Sequence, residues 1–307
     1  MRDVFPGDNS TNHVNGLPID QLEHAASVSA SASASAFAAN SLSSSSSTPY
    51  SQTSVRLVDD TLFDTIDTFE LIRDEDIVSC LYATLEDDAN FYFIVGTAFI
   101  DNNEPEPDKG RIIIFSVDSI ERKFRMVYQH SVNGSCYNLN TFSNGKLVAG
   151  LGGTVNIYRW RTATTTANNN NVNSNSNNTP SKNSTNNNNE NNHSKQLEWE
   201  CGHSGHILAL YIETRGDFIV CGDVMKSVSL LMYDPKMKRL VERARDHNAN
   251  YMTAIAVLND DVYLGAENSF NIFTVRKNAD AANDEDRNRL DVVGEFHIGE
   301  FINRYEE

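Results

Sequence analysis

The sequence lacks the features that would place the protein in a membrane or in an oxidising compartment. No stretch approaches the roughly 20 apolar residues that a membrane-spanning helix needs. The N-terminus does not combine a basic segment with an apolar one, so secretion is not expected. The four cysteines, Cys80, Cys136, Cys201 and Cys221, lie far apart and show no paired spacing. We interpret them as reduced intracellular thiols, mostly small residues of a core.

Positive charge is scarce. The chain has 25 Lys and Arg residues against 42 Asp and Glu residues, and its formal net charge is −17. Nucleic acids and anionic membranes both bind proteins through a positive surface. We therefore expect no direct contact with a membrane, and contact with nucleic acid only through a partner protein.

Motifs for covalent catalysis are missing as well. The sequence has no G-x-S-x-G motif, no phosphate-binding loop, and no histidine beside an evident nucleophile. Adjacent carboxylates occur at Asp59-Asp60, Asp87-Asp88 and Asp260-Asp261, all in predicted turns, where aspartate favours bonds to its own backbone. A propeller hydrolase would need a carboxylate or metal cluster in its channel. We predict no catalytic residue and no cofactor.

One short motif carries metal-ligand side chains. Cys201, His203 and His206 follow each other at close spacing, but a structural zinc site needs four ligands, and the sequence offers no second half. We interpret this motif as a polar loop between two repeats and predict no metal site.

What the sequence does contain is a repeated unit of two apolar runs joined by a glycine and a short polar turn. Its clearest copy is GDFIVCGDVMKSVSLLMYDP at 216–235, and the glycines at the equivalent place are Gly96, Gly150, Gly222 and Gly265. The runs are short and rich in β-branched and aromatic residues, which predicts paired antiparallel strands. Without an acidic insertion at 101–109 and an Asn-rich insertion at 164–194, the repeat length is 41 to 45 residues. That length is typical of a β-propeller blade.

These repeats predict an all-β fold, a partial β-propeller of four-stranded antiparallel blades with four fuller repeats and partial ones beside them. We predict first strands at 78–85, 137–142, 207–214 and 252–258, covered on both faces by neighbouring blades. Two further strands are expected around Asp59-Asp60, and GEFINRY at 299–305 is expected to begin another inner strand. Residues 55–307 would then be a fragment of a larger propeller. Residues 1–54 and 164–194 are of low complexity and are predicted to be a disordered tail and a disordered loop.

Aromatic and amide residues recur near the starts of the inner strands. In a propeller, equivalent positions of successive blades surround one mouth of the central channel. Any one of these aromatics could simply pack between blades, but the set as a whole is typical of a protein-docking surface. It comprises Tyr137, Asn138, Leu210, Tyr211, Tyr251, Asn268, Ser269, Phe270, Phe301 and Asn303.

Several long runs resemble one known family. They are SVRLVDDTLF from Ser54, NFYFIVGT, ETRGDFIVCGDVMKSVSLL, ARDHNANYMTAIAVL, LGAENSFNIF and GEFHIGEFIN. Together they are similar to the third-propeller region of the large subunits of damage-specific DNA-binding proteins. That family consists of triple-propeller adaptors of cullin-4 RING ubiquitin ligases, and its relatives in pre-mRNA cleavage, polyadenylation and splicing share the fold.

The resemblance implies a non-enzymatic scaffold that docks WD40-type substrate receptors, in DNA repair and protein ubiquitination, in the nucleus and cytoplasm. A scaffold subunit of a pre-mRNA cleavage, polyadenylation or splicing complex remains the alternative. Cullin would bind only through parts absent from this chain. Carried over by position, the receptor-facing residues are Tyr137, Asn138, Leu208, Leu210, Tyr211, Tyr251, Asn268, Phe270, Phe301 and Asn303.

Overall fold

The computed structural model describes residues 52–101, 103–118, 120–162 and 195–306. The predicted tail up to residue 51 and the predicted Asn-rich loop at 164–194 lie outside the described residues. The described part consists mostly of β-strands, with one short α-helix, α1 (Asp284–Arg287), and one 3-10 turn at Ser143–Gly145. No helix in these ranges is long and apolar enough to cross a membrane.

The strands form one two-stranded sheet followed by four four-stranded sheets, which we call blades 1 to 4. The two-stranded sheet contains β1 (Ser54–Val58) and β2 (Thr65–Glu70). Blade 1 contains β3 (Glu75–Thr84), β4 (Phe91–Phe99), β5 (Lys109–Asp118) and β6 (Lys123–Asn133). Blade 2 contains β7 (Cys136–Phe142), β8 (Lys146–Leu151), β9 (Thr154–Thr162) and β10 (Lys195–Ser204). Blade 3 contains β11 (Ala209–Arg215), β12 (Phe218–Asp223), β13 (Val228–Asp234) and β14 (Arg239–Arg245). Blade 4 contains β15 (Met252–Val257), β16 (Val262–Glu267), β17 (Asn271–Lys277) and β18 (Leu290–His297).

Within each blade the strands pair antiparallel in chain order. Short turns make this possible, and aspartates close several of them by accepting hydrogen bonds from the backbone that follows. Asp234, for example, accepts from the amides of Lys236 at 3.0 Å and Met237 at 3.2 Å. The predicted all-β fold of four-stranded antiparallel blades is confirmed.

The core lies between the sheets rather than within one of them. Neighbouring residues of a central strand point to opposite faces, so each face joins a different apolar cluster. In β12, Ile219 packs with residues of blade 2, whereas Val220 packs with residues of blade 4. In β5, likewise, Ile112 packs with residues of blade 2, whereas Ile113 packs with Val55 of the two-stranded sheet. This double burial explains the continuous apolar runs of the central strands.

Three of the four repeat glycines lie where the next blade comes closest. A Cβ atom added at Gly96 would lie 2.6 Å from Sγ of Cys136, and one at Gly222 would lie 2.8 Å from Cγ2 of Ile255. One at Gly150 would run into the carbonyl oxygen of Ala209. In blade 4 the residue at the equivalent register position is Ala266 rather than Gly265.

Two expectations about the inner strands are corrected. The first strands were expected to be covered on both faces, but β7 and β11 are only partly buried, whereas β8 and β12 are almost fully buried. The first strand of each blade has one unpaired edge, which leaves part of it open. The strand expected at 299–305 is not formed, because no described strand pairs with this segment.

β9 and β10 pair as a hairpin, and the Asn-rich insertion lies between them in the sequence. Thr162, the last residue of β9, pairs directly with Lys195, the first residue of β10. The described residues on either side of the insertion therefore lie at adjacent positions at one corner of the blade.

Candidate protein-docking surface

Each blade carries a β-bulge near the start of its first strand. The register shifts once in each of β3, β7, β11 and β15. The extra residues are Val78, Tyr137, Leu210 and Thr253. A bulge re-aims side chains and bends the strand. The sequence analysis missed these bulges; the available signal was consecutive apolar residues, such as Cys136-Tyr137, that break the alternation of a strand.

The bulged strand starts lie at the same end of the blades. Hydrogen bonds join successive first strands: Oγ of Ser79 donates to the Cys136 carbonyl at 2.6 Å, and Nδ2 of Asn140 donates to the Ile212 carbonyl at 2.9 Å. Oγ1 of Thr214 donates to the Thr141 carbonyl at 2.8 Å. We call the surface formed by the starts of β7, β11 and β15 and by the β16–β17 turn the rim.

Five of the sequence-predicted residues lie at the starts of β7 and β11, and all five are partly buried. They are Tyr137, Asn138, Leu208, Leu210 and Tyr211. Tyr211 also packs against the apolar cluster between blades 3 and 4, and burial raises the pKa of its hydroxyl. Tyr211 therefore combines blade packing with partial exposure at the rim.

Tyr251, Asn268 and Phe270 form the most exposed part of the rim. The Asn268 amide donates to the Tyr251 carbonyl at 3.0 Å, so the β16–β17 turn lies beside the start of β15. Tyr251 is 47% exposed and Phe270 is 43% exposed. Phe270 has a φ of 65°, a left-handed conformation that is unusual for a bulky residue and that recurs at functional positions.

The last two predicted residues, Phe301 and Asn303, are exposed and lie beyond β18. Their segment is joined to the rim through its first residues. The amides of Ile298 and Gly299 donate to the Phe270 carbonyl at 3.0 and 3.3 Å. The structure thus brings the base of this segment to the rim, and a docking role for Phe301 and Asn303 stays a prediction.

The Cys201, His203 and His206 motif is part of the junction between blades 2 and 3. Cys201 and His203 belong to β10 rather than to a loop, and Cys201 is buried in the core. Nε2 of His206 lies 2.8 Å from Oγ of Ser229. Burial lowers the pKa of His206 to about 4. In the described ranges no three His, Cys, Asp or Glu side chains are grouped so as to hold a metal ion.

The first two carboxylate pairs supply turn residues, whereas at Asp260-Asp261 the turn is closed by Asn259, which accepts from the amides of Asp261 and Val262, both at 2.9 Å. Oδ1 of Asp59 accepts from the amides of Thr61 and Leu62, both at 3.0 Å, as the turn interpretation predicts. Asp88 also accepts from the Asn90 amide at 3.1 Å. Its second oxygen, however, is buried and accepts from the Tyr92 hydroxyl at 2.6 Å. Asp88 is therefore a buried structural anchor as well as a turn residue.

Comparison with known proteins shows the family of the chain. Residues 52–183 and 190–307 match the family model described as the CPSF A subunit region. The chain belongs to the CPSF A subunit region family. It is 42% identical over 301 residues to a Solanum lycopersicum protein named DNA damage-binding protein 1. This match covers 95% of the chain and 24% of that protein. It is 40% identical over 294 residues to DNA damage-binding protein 1a of Arabidopsis thaliana, again over 95% of this chain and 24% of the relative.

A third relative, from Oryza sativa subsp. japonica and also named DNA damage-binding protein 1, is 43% identical over 250 residues. This match covers 81% of the chain and 20% of the relative. The chain thus spans about a quarter of the length of the curated relatives that it matches. The resemblance stated from the sequence is confirmed, and the CPSF A subunit region family is represented here by a partial propeller.

Proposed function

We propose that this chain is part of a non-enzymatic scaffold that docks other proteins on the rim. In this proposal it is the receptor-docking portion of an adaptor subunit of a cullin-RING ubiquitin ligase, acting in DNA repair and protein ubiquitination. The observation that carries the proposal is the coincidence of exposed aromatic side chains at the rim with similarity to proteins named DNA damage-binding protein 1.

The chemistry of the rim supports docking of a protein. Exposed tyrosine and phenylalanine side chains with amides beside them are typical anchors of protein interfaces. Tyr251 and Phe270 supply the apolar anchors, and Asn268 next to them supplies hydrogen-bonding groups. In this proposal the partners are WD40-type substrate receptors, cullin binds regions outside this chain, and the complex works in the nucleus and cytoplasm.

A binding experiment on the whole chain tests the docking surface. Affinity for a purified substrate receptor of a cullin-4 ligase would be measured by surface plasmon resonance for the unchanged chain and for Tyr251→Ala/Phe270→Ala. Loss of the two interface anchors should weaken binding by at least about 30-fold, since a single anchor typically contributes about 2 kcal/mol or more. Trp199→Ala is the control, because Trp199 is 58% exposed on the outer strand β10. Equal affinity of the double variant and the unchanged chain would contradict the proposal.

One observation favours a second candidate. The matching family model is described as the CPSF A subunit region, which is compatible with a scaffold in pre-mRNA cleavage, polyadenylation or splicing. The same rim would then bind processing factors. Mass spectrometry of proteins that co-purify with the chain, and are lost from Tyr251→Ala/Phe270→Ala, separates the two: ubiquitin-ligase receptors support the first function, and RNA-processing factors support the second.

A further inference from the structure

Two turns at the end of the blades opposite the rim expose large apolar side chains. The β16–β17 turn lies at the rim, and paired strands run antiparallel, so the turn between the third and fourth strands of a blade lies at the far end. The β5–β6 turn of blade 1 is one of these. Its Ile120 is 93% exposed, and in the β1–β2 turn Leu62 is 71% and Phe63 is 79% exposed.

An ion pair joins the β1–β2 and β5–β6 turns. Nη2 of Arg122 donates to Oδ2 of Asp59 at 2.7 Å. Close by, Oδ2 of Asp67 in β2 accepts from the amide of Phe124 in β6 at 2.8 Å. The two turns are thus held side by side. We call the surface formed by Leu62, Phe63 and Ile120 the apolar corner.

The backbone at Phe63 is in a conformation that its side chain does not favour. Three turns of the chain share one construction: each begins with an aspartate that accepts two backbone amides and has a left-handed residue four positions later. That residue is Phe63 with a φ of 57°, Arg122 with 52°, or Lys238 with 48°. A bulky aromatic residue in this conformation is an outlier, and such strain clusters at functional positions. Because Phe63 is also mostly exposed, packing does not account for it.

Negative charge surrounds the apolar corner. The turns at 59–64 and 118–123 contain five carboxylates and two cations. One of the cations, Arg122, is engaged by Asp59. The exposed carboxylates of Asp60, Asp64 and Glu121 form no ion pair within the described part of the chain. Charge complementarity therefore favours a partner that carries basic residues beside its apolar ones.

The backbone of the apolar corner is not available to an added strand. The amides of Leu62 and Ile120 donate to the carboxylates that open their turns, at 3.0 and 2.8 Å. The Phe63 amide donates to the Asp59 carbonyl at 2.9 Å. A partner can therefore contact these residues only through side chains. An α-helix suits this surface, because its own backbone groups are already bonded to each other.

We propose that the apolar corner docks an amphipathic helix of another protein. The apolar face of the helix would cover Leu62, Phe63 and Ile120, and lysine or arginine side chains beside that face would meet the carboxylates of the two turns. The apolar corner is a second interaction surface at the opposite end of the blades, so this proposal does not depend on docking at the rim.

Fluorescence anisotropy with a labelled peptide and the whole chain, at about 0.15 M salt, tests the proposal. The probe is a peptide of about 18 residues made of leucine, alanine and lysine, with the leucines spaced so that they share one helical face. The matched peptide carries glutamate in place of lysine. We expect the chain to bind the lysine peptide and not the glutamate peptide. Leu62→Ser/Phe63→Asn should bind the lysine peptide at least about 10-fold more weakly.

Two control variants should bind the lysine peptide as the unchanged chain does. Met237→Ser removes an apolar side chain that is 65% exposed in the turn of the same construction that contains Lys238. Tyr251→Ala/Phe270→Ala removes the anchors of the rim. Equal affinity of Met237→Ser and Leu62→Ser/Phe63→Asn would overturn the proposal. So would equal binding of the two peptides, absence of binding to the unchanged chain, or loss of binding by the rim variant.

The single variant Phe63→Asn separates docking from packing. Asparagine adopts a left-handed conformation readily. If Phe63 serves docking, the urea midpoint of unfolding of Phe63→Asn should equal or exceed that of the unchanged chain, while its peptide affinity falls. A lower midpoint would show that Phe63 stabilises the fold and would overturn its assignment to a docking surface.

Discussion

Gly150 shows how a single residue without a side chain lets two blades approach. It lies in β8 with the carbonyl oxygen of Ala209, in the first strand of blade 3, directly against it. Backbone atoms cannot move aside as a flexible side chain can. An alanine here would therefore force blades 2 and 3 apart.

We expect Gly150→Ala to lower the free energy of unfolding by about 1 to 3 kcal/mol, the usual cost of overpacking. Urea unfolding followed by circular dichroism measures this. Gly294→Ala is the control, because its added Cβ atom would meet only Oγ1 of Thr274 at 3.0 Å. A Gly150→Ala protein as stable as Gly294→Ala would show that the blades adjust freely.

His206 makes stability depend on pH. Burial lowers its pKa from 6.5 to about 4 in the folded chain, so between these values the unfolded chain binds the proton more readily. The free energy of unfolding should therefore fall as the pH is lowered from about 6.5 towards 4, by at most about 1.4 kcal/mol per pH unit. Urea unfolding of the unchanged chain and of His206→Gln at pH 7, 5.5 and 4.5 should show a smaller loss in the variant. His247→Gln, at an exposed histidine, should lose stability as the unchanged chain does.

At the scale of the elements, a buried ion pair joins three strands of blade 1. Nε of Arg111 in β5 donates to the Glu75 carboxylate of β3 at 2.8 Å, and the Thr97 hydroxyl of β4 donates to the same carboxylate at 2.6 Å. The Glu75 side chain is 0% exposed. The Ile72 amide also donates to this carboxylate, at 3.2 Å. The Glu75 charge has no access to water, so the buried carboxylate depends on Arg111, Thr97 and this amide.

We expect Arg111→Met to destabilise the chain by about 3 to 5 kcal/mol, because it leaves a buried carboxylate unpaired. The double variant Glu75→Met/Arg111→Met should recover much of that loss, since it removes both charges. Urea unfolding of the two single variants and the double variant measures the coupling. A double variant as unstable as the sum of the single ones would show that the pair is not coupled.

The elements were largely predictable because their signals are local. Runs such as the one at 218–221 are apolar and bounded by Gly216 and by turn-forming aspartates, and β12 and β13 form where they were expected. The bulges were missed, since a register shift depends on which residues the partner strand offers. The strand at 299–305 was wrongly expected, because a strand forms only when another strand is available to pair with it.

For the whole molecule, the repeat length predicted how the blades follow one another. The recurrence of aromatic and amide residues at the strand starts supplied the candidate residues of the rim, and the resemblance added Leu208. The sequence could not predict that Glu267 at the end of β16 and Glu295 of β18 line one cavity in blade 4, because no spacing rule places them together. Nor could the sequence show that Tyr211 is partly buried between blades 3 and 4, because that burial depends on the position of blade 4.

The net charge is a property of the whole molecule. Because it is strongly negative, we expect the chain alone not to bind duplex DNA. A net charge of −17 repels phosphates, and binding to them depends on a positive surface that releases counterions. Fluorescence anisotropy of a labelled duplex at 50 mM salt should not rise with added chain up to about 0.1 mM, the range of non-specific DNA binding. Binding that weakens steeply with salt would contradict this expectation and would indicate a basic patch.

The pairing of Thr162 with Lys195 has a consequence for engineering the chain. Because the end of β9 and the start of β10 are adjacent, their connection can accept a guest polypeptide whose own termini are close together. A fluorescent protein or an affinity tag could be grafted at this corner of blade 2, where it would report on the scaffold from a position outside the rim.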